Sequence, residues 1–402
     1  MSKIQDNLIK KGKEIFLTYG DNIDRDEYLA IDIPDKPSKH YINKYFGNFI
    51  TFKTLCLNSL SPPENKYLIK QNERLLKELE KQRNINQVFI DNCLGTISKC
   101  TFIPAKVPRK ERVKQDQEFH ALNSDTHCGE VVDPEWVQGI AEYNSELFIG
   151  RMNLWAEKIC LFRDQDKNSL GLNKLVMYML GDHMEGELIY KGQAYNIDLI
   201  TMDQFMLAFQ TYVDIILFFA SVFPKIEIFC VLGNHGRLGR KGEAHPKSNF
   251  DYLLYRMLNH TLKKQNNVKI YVSKSPTMIV RNGNYNFSLN HNDDVRSYLG
   301  IPYYGLDRKA RRLNNLYNMI INYMLGGHFH TSANLHDNII LNGSMVGGSD
   351  LSVNKMNTAE LPSQKIFYFD GNHGIHRVSD IKLAEPVKLT PDENGIYTAY
   401  TV

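Results

Sequence analysis

Val176-Met-Tyr-Met-Leu-Gly-Asp182 is an apolar run that stops on a glycine and a carboxylate. It reads as a buried strand whose carboxyl tip presents an acid. The pattern occurs five times along the chain. Apolar or mixed runs at 119–123, 174–180, 226–232, 285–290 and 322–325 end, in order, at Asp125-Thr-His127, Gly181-Asp182, Gly233-Asn234-His235, His291 and Gly327-His328-Phe-His330. Between the second and third runs, Phe205, Met206, Phe209, Val213, Ile216, Leu217 and Ala220 recur with a helical period. Strand, polar tip, helix, strand is the grammar of an open α/β domain, whose sites lie beyond the strand carboxyl ends.

The five tips carry one kind of chemistry. Hydrolysing a phosphoester near neutral pH needs a strong nucleophile and relief of charge on the phosphoryl oxygens. Two divalent cations roughly 3.5–4 Å apart supply both, through a hydroxide that bridges them. Asp125 and His127, two residues apart in a turn, can point at one ion, and Asp182 is the natural bridge between two. Asn234 offers an amide oxygen, and His291, His328 and His330 complete the shell. Imidazoles favour Mn, Fe or Zn over Mg or Ca. Glycines 181, 233, 326 and 327 keep the backbone at these turns close and free in its torsions. Each motif alone is an ordinary turn; their conjunction in order points to a di-metal centre.

That order of motifs resembles the calcineurin-like metallophosphoesterase superfamily over residues 120 to 330. The resemblance implies a four-layer sandwich, two mixed β-sheets flanked by helices. It implies one metal held by Asp125, His127, Asp182 and His330, and another held by Asp182, Asn234, His291 and His328. Two Mn²⁺ ions are the expected cofactors, with Fe or Zn as alternatives. His235 would be catalytic, stabilising the transition state or protonating the leaving oxygen. Two positions depart from the family pattern. The residue after Asn234-His235 is Gly236 where an acid usually orients the histidine, which leaves Glu243 or Asp294 to reach His235. Glu185 occupies a position where many members place a second acid, and it is expected to support a ligand rather than to be one. Cys128 should pack behind the site, and Gly371-Asn-His-Gly374, which falls after the last motif, should be a hairpin turn.

Residues 1–115 read as a mainly helical, DNA-binding domain ending in a basic linker, and 116–402 as the metallophosphoesterase domain. Ser38 is placed to cap a helix through Phe46, and a second helix is expected after Pro62-Pro63, with Leu68, Leu75, Leu76 and Leu79 on one face and Glu73/Lys77 as a pair. From Asn338 onward the chain reads as short strands broken by Gly-rich turns.

The bulk numbers exclude other classes. Hydrophobic content of 43%, charged content of 23% and a net charge of +3 fit a globular chain with no bulk bias toward a polyanion. Six cysteines without a Cys-x-x-Cys pair argue against a zinc ribbon or disulfide scaffold. Met-Ser-Lys-Ile-Gln-Asp lacks an apolar signal core, and the longest apolar run, Ile215 to Phe223, is about half of what a bilayer needs. A cytoplasmic protein with no membrane partner is expected. Gly236-Arg-Leu-Gly239-Arg-Lys-Gly242 has neither Rossmann nor P-loop spacing; it fits a loop beside the metals, with Arg237, Arg240 and Lys241 meeting phosphate oxygens.

The superfamily includes protein phosphatases, nucleotide phosphodiesterases and DNA nucleases of the Mre11/SbcD type. Three features favour DNA. Arg25-Asp-Glu-Tyr28 followed by Pro37 to Phe49 resembles small helix-turn-helix repeats found beside homing endonucleases, with Lys39, His40, Asn43 and Lys44 facing outward. Lys106, Arg109, Lys110, Arg112 and Lys114 could track a backbone, and Arg308, Lys309, Arg311 and Arg312 crowd one segment. A DNA-acting phosphodiesterase is the leading reading. A phosphomonoesterase or nucleotide phosphodiesterase with a protein-binding amino-terminal domain is the alternative, and an inactive DNA-binding protein is third. The nuclease resemblance allows a homodimer, and nothing in the chain demands an ATPase partner.

Overall fold

A computed structural model describes residues 3–19, 23–32, 34, 36–58, 71, 73, 74, 76, 77, 93–95, 103–109, 116–243, 245–296 and 302–384. The chain divides into two compact units, Met1–Asn92 and Cys93–Val402.

Among its described residues the first unit includes the helices α1 (Lys3–Tyr19), α2 (Arg25–Ala30), α3 (Lys39–Phe46) and α4 (Phe49–Asn58). Asp24 and Glu27 form a reciprocal capping box at the start of α2. Ser38 caps α3 by accepting from the Tyr41 amide, and Gly47, at φ 77°, ends it. Phe16, Tyr28, Ile42, Phe46 and Phe52 pack as one aromatic-rich core. On α3 the opposite face leaves Lys39, His40, Asn43 and Lys44 exposed, as the helical period requires. The helix expected after Pro62-Pro63 lies largely outside the described residues, as do Lys110, Arg112 and Lys114 of the basic stretch.

Among its described residues the second unit is built on eleven strands: β1 (Gln117–Asn123), β2 (Gly171–Met179), β3 (Lys225–Cys230), β4 (Val268–Val272), β5 (Thr277–Asn282), β6 (Tyr285–Asn290), β7 (Tyr323–Gly326), β8 (Ala333–Leu335), β9 (Ile339–Leu341), β10 (Ser363–Asp370) and β11 (Gly374–Lys382). One sheet has the order β11-β10-β1-β2-β3-β4, parallel from β1 to β4, with β10 and β11 antiparallel at its edge. The other has the order β5-β6-β7-β9-β8, parallel across β6, β7 and β9. The five polar tips follow β1, β2, β3, β6 and β7, all strands of the parallel sets. Asn372 and His373 sit in the turn between β10 and β11, as expected for the hairpin.

Side-chain alternation sets the layers. Leu122, Val176, Tyr178 and Leu180 from one sheet meet Phe287, Leu289, Leu325 and Ile340 from the other in a shared core. The outer face of the first sheet is covered by α5 (Ser145–Leu170), α6 (Thr201–Val222) and α7 (Phe250–Thr261). Phe119 of β1 meets Phe223 at the end of α6, and Trp155 of α5 meets Phe219 of α6. Leu306 and Leu313 of α8 (Tyr303–Tyr317) close over the outer face of the second sheet. Helix, sheet, sheet, helix is the four-layer sandwich that the motif order implies. By length and composition α6 could cross a membrane, but 56% of its most apolar window is buried inside the fold.

One polar network ties the sheets together. Lys174 of β2 bridges Glu118 and Glu227 at 3.0 and 2.8 Å, and Asn282 of β5 donates to Glu118. Burial alone would raise the Glu118 carboxyl; its bond to His120 and the His120 and Lys174 charges overcome this and hold it at about 2. Because the folded value lies below the unfolded 4.5, the stabilisation is complete above pH 4.5 and is lost as pH falls through about 2. Glu118→Gln should therefore cost about 1.5–3 kcal/mol at pH 7. Thermal midpoints should show that cost shrinking between pH 4.5 and 2; an equal cost at both ends would put the effect in packing.

Candidate metal centre

The tips of β1 and β2 are stitched together by backbone. The amides of Asp125, Thr126 and His127 donate to the carbonyls of Gly181 and Asp182 at 2.9–3.1 Å. Gly181 takes φ 95°, and a Cβ there would run into the backbone of Gly233. A Cβ on Gly233 would in turn overlap the Asp182 carboxylate, and one on Gly327 the Asp125 carboxylate. The expectation that all four glycines supply unusual torsions needs correction. Gly181 alone has positive φ; the others are glycine because a neighbouring tip passes too close.

The unusual torsions belong instead to the polar residues. Asp125 (φ 52°), His127 (42°), Asp182 (55°), His328 (78°) and His330 (55°) are all left-handed, five of the twelve non-glycine residues so placed among those described. Each costs on the order of 1–3 kcal/mol, a strain that persists only where the surroundings over-determine it and that gathers at functional sites.

A buried carboxylate absent from the sequence reading holds these turns. Asp251, in the first turn of α7, accepts from the amides of Asp182, His183 and Gly233 at 3.1, 3.2 and 2.9 Å. Burial first, then the charge of Asp182, raises its pKa to about 6 in spite of those bonds. From the far end of the chain, Gln364 of β10 accepts from the Ser124 amide, and Asn342 donates to Ser124 Oγ. Ser124 then donates to Asp125.

Two groups of ligand atoms, each within 4.8 Å, consist only of expected ligands: Asp125, His127 and His330, and Asp182, His291 and His328; Glu185 and His235 form a third such group with His127, and Asp370, His373 and His376 a fourth at the β10–β11 turn. His291 Nε2 lies 2.7 Å from Asp182 and 3.1 Å from the Asn234 amide oxygen, while its Nδ1 donates to the Leu180 carbonyl at 2.8 Å. His127 Nδ1 is taken by Glu185 at 2.7 Å, and its Nε2 meets His330 Nε2 at 3.1 Å. Thus each histidine that is held at Nδ1 offers Nε2 inward, the arrangement a metal ligand needs. All seven expected ligands come together, and all but the rim residues His328 and His330 are buried.

The electrostatics favour a cation. Burial alone would lower His291; Asp182 more than offsets it and lifts the ring to about 9. A site that attracts a proton so strongly attracts a metal ion for the same reason. Burial and the neighbouring His291 hold His328 down to about 4, and burial with His127 holds His330 low, so both rings are neutral and ready to donate electrons. Oxygen and imidazole donors in two adjoining groups fit a pair of divalent ions.

His235 follows Asn234 at the β3 tip, and its amide donates to Asp182 at 2.6 Å. Its Nδ1 lies 2.9 Å from Glu185 Oε2. Glu243 and Asp294, the expected partners, lie elsewhere: Glu243 accepts from the Arg240 amide and Asp294 pairs with Lys309. Glu185 does that work, itself fixed by Gln193 and Tyr190. An acid at position 236 has no room, since a Cβ there would come within 2.5 Å of Asn249 Oδ1 at the cap of α7. Cys128 is buried with its thiol toward the Gln204 carbonyl, outside the ligand groups. In the basic loop, Arg237 pairs with Asp293, Lys241 stands 3.7 Å from the same carboxylate, and Arg240 is exposed; all three line one cavity beside His291.

No model of a known protein family matches the chain, and no curated protein matches it in sequence. Among solved structures it is similar to a protein of unknown function from Aquifex aeolicus, 11% identical, with a TM-score of 0.25 over 55% of this chain and 82% of that one. It is also similar to a 5'-nucleotidase precursor from Thermus thermophilus, 9% identical, with a TM-score of 0.25 over 66% of this chain and 54%, about half, of the other. Superpositions this loose leave the reading to the residues themselves.

Proposed function

We propose that the chain is a divalent-metal phosphoester hydrolase and that its substrate is DNA, in the manner of the Mre11/SbcD-type phosphodiesterases. What carries the reading is one observation: five left-handed Asp and His residues gather at neighbouring strand ends into two ligand groups. Asp125, His127, Asp182 and His330 would hold one ion, and Asp182, Asn234, His291 and His328 the other, with Mn²⁺ the proposed metal. Bound there, the cations would offset charge on the phosphoryl oxygens and acidify a water.

The chain's own groups would do the remainder. Glu185 fixes His127 through Nδ1, so that Nε2 stays a ligand. The same carboxylate keeps His235 protonated and turned, leaving Nε2–H for the departing oxygen. For DNA, support comes from the exposed Lys39, His40, Asn43 and Lys44 on α3, proposed as a helix-turn-helix reading surface, and from the cations flanking His291.

The test is one panel of substrates. Purified protein in Mn²⁺ should cleave single-stranded or plasmid DNA and bis(p-nitrophenyl) phosphate, and EDTA should stop both. Turnover confined to monoesters or phosphopeptides would discard the DNA reading, and silence with Mn²⁺, Fe²⁺ and Zn²⁺ alike would discard the hydrolase. In the same panel, Lys39→Ala with Lys44→Ala should weaken DNA binding and flatten its salt dependence, with the small diester unaffected. Unaltered binding would remove α3 from the interface.

A further inference from the structure

We propose that a single strand of nucleic acid leaves the metal centre past His291 and runs along α8, its phosphates held by Arg308 and Arg312 and a base stacked on Tyr304. This rests on the phosphodiesterase reading above, yet it is carried by residues outside the ligand groups.

A cavity of about 350 Å³ opens against His291, and Asn290 and Asn292 line it, each only 1% exposed. Both amide oxygens are engaged, Asn290 by Thr277 Oγ1 at 2.7 Å and Asn292 by Lys309 Nζ at 3.1 Å. Both amide nitrogens are buried without a partner. Neither nitrogen is exposed to the cavity, and Asn292 Nδ2 packs against Gly326. Arg240, Lys247 and Lys274 also line the cavity, while its acids Asp293 and Asp294 are paired with Arg237 and Lys309, so a bound group should carry negative charge. A phosphate next to the scissile one meets that demand.

The cavity does not end there. A second cleft of about 830 Å³ shares Thr277, Asp294 and Lys309 with the first and continues past Tyr304, Arg308 and Arg312. Arg308 and Arg312 stand one turn apart on the same face of α8, and both line this cleft. Their neighbours are already committed: Lys309 holds Asn292 and Asp294, and Arg311 pairs with Asp307. Tyr304 is 71% exposed beside them. A large aromatic beside cations in a groove is how single strands are held without sequence preference, by stacking and backbone charge together. A mononucleotide would use the first cavity and leave the second idle. Succession favours a polymer, and stacking on the exposed Tyr304 needs an unpaired base, which favours a single strand over a duplex.

The experiment uses the full chain with two variants, Arg308→Ala/Arg312→Ala and Tyr304→Ala, all lining the second cleft. Anisotropy of a labelled single-stranded DNA oligonucleotide, measured without metal, should show roughly tenfold weaker binding for each. The arginine pair should also reduce the salt slope by about 1.4, from about 0.7 per phosphate lost. With Mn²⁺, KM for the oligonucleotide should rise while turnover of bis(p-nitrophenyl) phosphate stays level. Unchanged binding and slope would overturn the track, as would parallel loss on the small diester or equal loss for a phosphopeptide of matched charge. If the parent protein hydrolyses nothing but the variants still lose DNA, the hydrolase reading fails and the track stands. If the small diester is cleaved but oligonucleotide binding ignores the variants, the reverse holds.

Discussion

Replacing Asp182 with Asn is expected to drop turnover on any phosphoester by more than a factor on the order of 10³, and to take metal stoichiometry below two per chain. The expectation comes from how the carboxylate is used. One oxygen accepts from the His235 amide, and the other lies 2.7 Å from His291 in the second ligand group. Its charge is also the main counterweight to the burial of His291. An amide keeps the shape and removes the charge, which would otherwise offset the repulsion between two cations held at the proposed sites. Metal analysis beside rate measurement decides the matter. Full stoichiometry with near-normal turnover would remove Asp182 from its bridging role. Loss of rate with both metals retained would make it a group acting on the substrate instead. The variant should fold, because Asp251 and the Gly181 carbonyl hold the same turn through backbone atoms.

The strand tips were legible because two independent signals coincide there. Apolar runs mark β1, β2, β3, β6 and β7, and the polar residue that ends each run is the type a metal needs. What the sequence hides is support that arrives from afar. Gln364 reaches the Ser124 amide across 240 positions, because β10 returns antiparallel beside β1. Asp251 looks like an ordinary first-turn acid of α7, and only the fold shows its carboxylate collecting three amides from two other tips. The glycines carry a subtler lesson. In sequence Gly233 and Gly327 look like torsional hinges, whereas the strained torsions sit on the ligands and the glycines make room for them. Basic residues in a run carry the weakest signal of all. Arg308, Lys309, Arg311 and Arg312 look alike in sequence, yet two are tied to nearby acids while Arg308 and Arg312 line a cleft.

Glu185 offers the sharpest separation of roles, because one carboxylate holds both His127, a proposed metal ligand, and His235, the proposed proton donor. His235→Ala should cut turnover by a factor on the order of 10²–10⁴ and leave both metals bound. The ring contributes no atom to the two groups assigned to the ions, and its amide, which holds Asp182, survives the change. Glu185→Gln should do two things at once. It removes the charge that orients His127 at 2.7 Å, so affinity for the ion at Asp125, His127 and His330 should fall roughly 10–100-fold. It also removes the charge that, against burial, keeps His235 protonated, so turnover should stay low even when Mn²⁺ is raised to saturation. Titrating Mn²⁺ against rate in both variants distinguishes the effects. Recovery of Glu185→Gln to the parent rate at high Mn²⁺ would confine Glu185 to His127 and leave His235 without an orienting partner. Metal loss in His235→Ala would instead make His235 a ligand. In the double variant the turnover penalties should fall well short of multiplying, since the second change breaks a link that the first has already emptied.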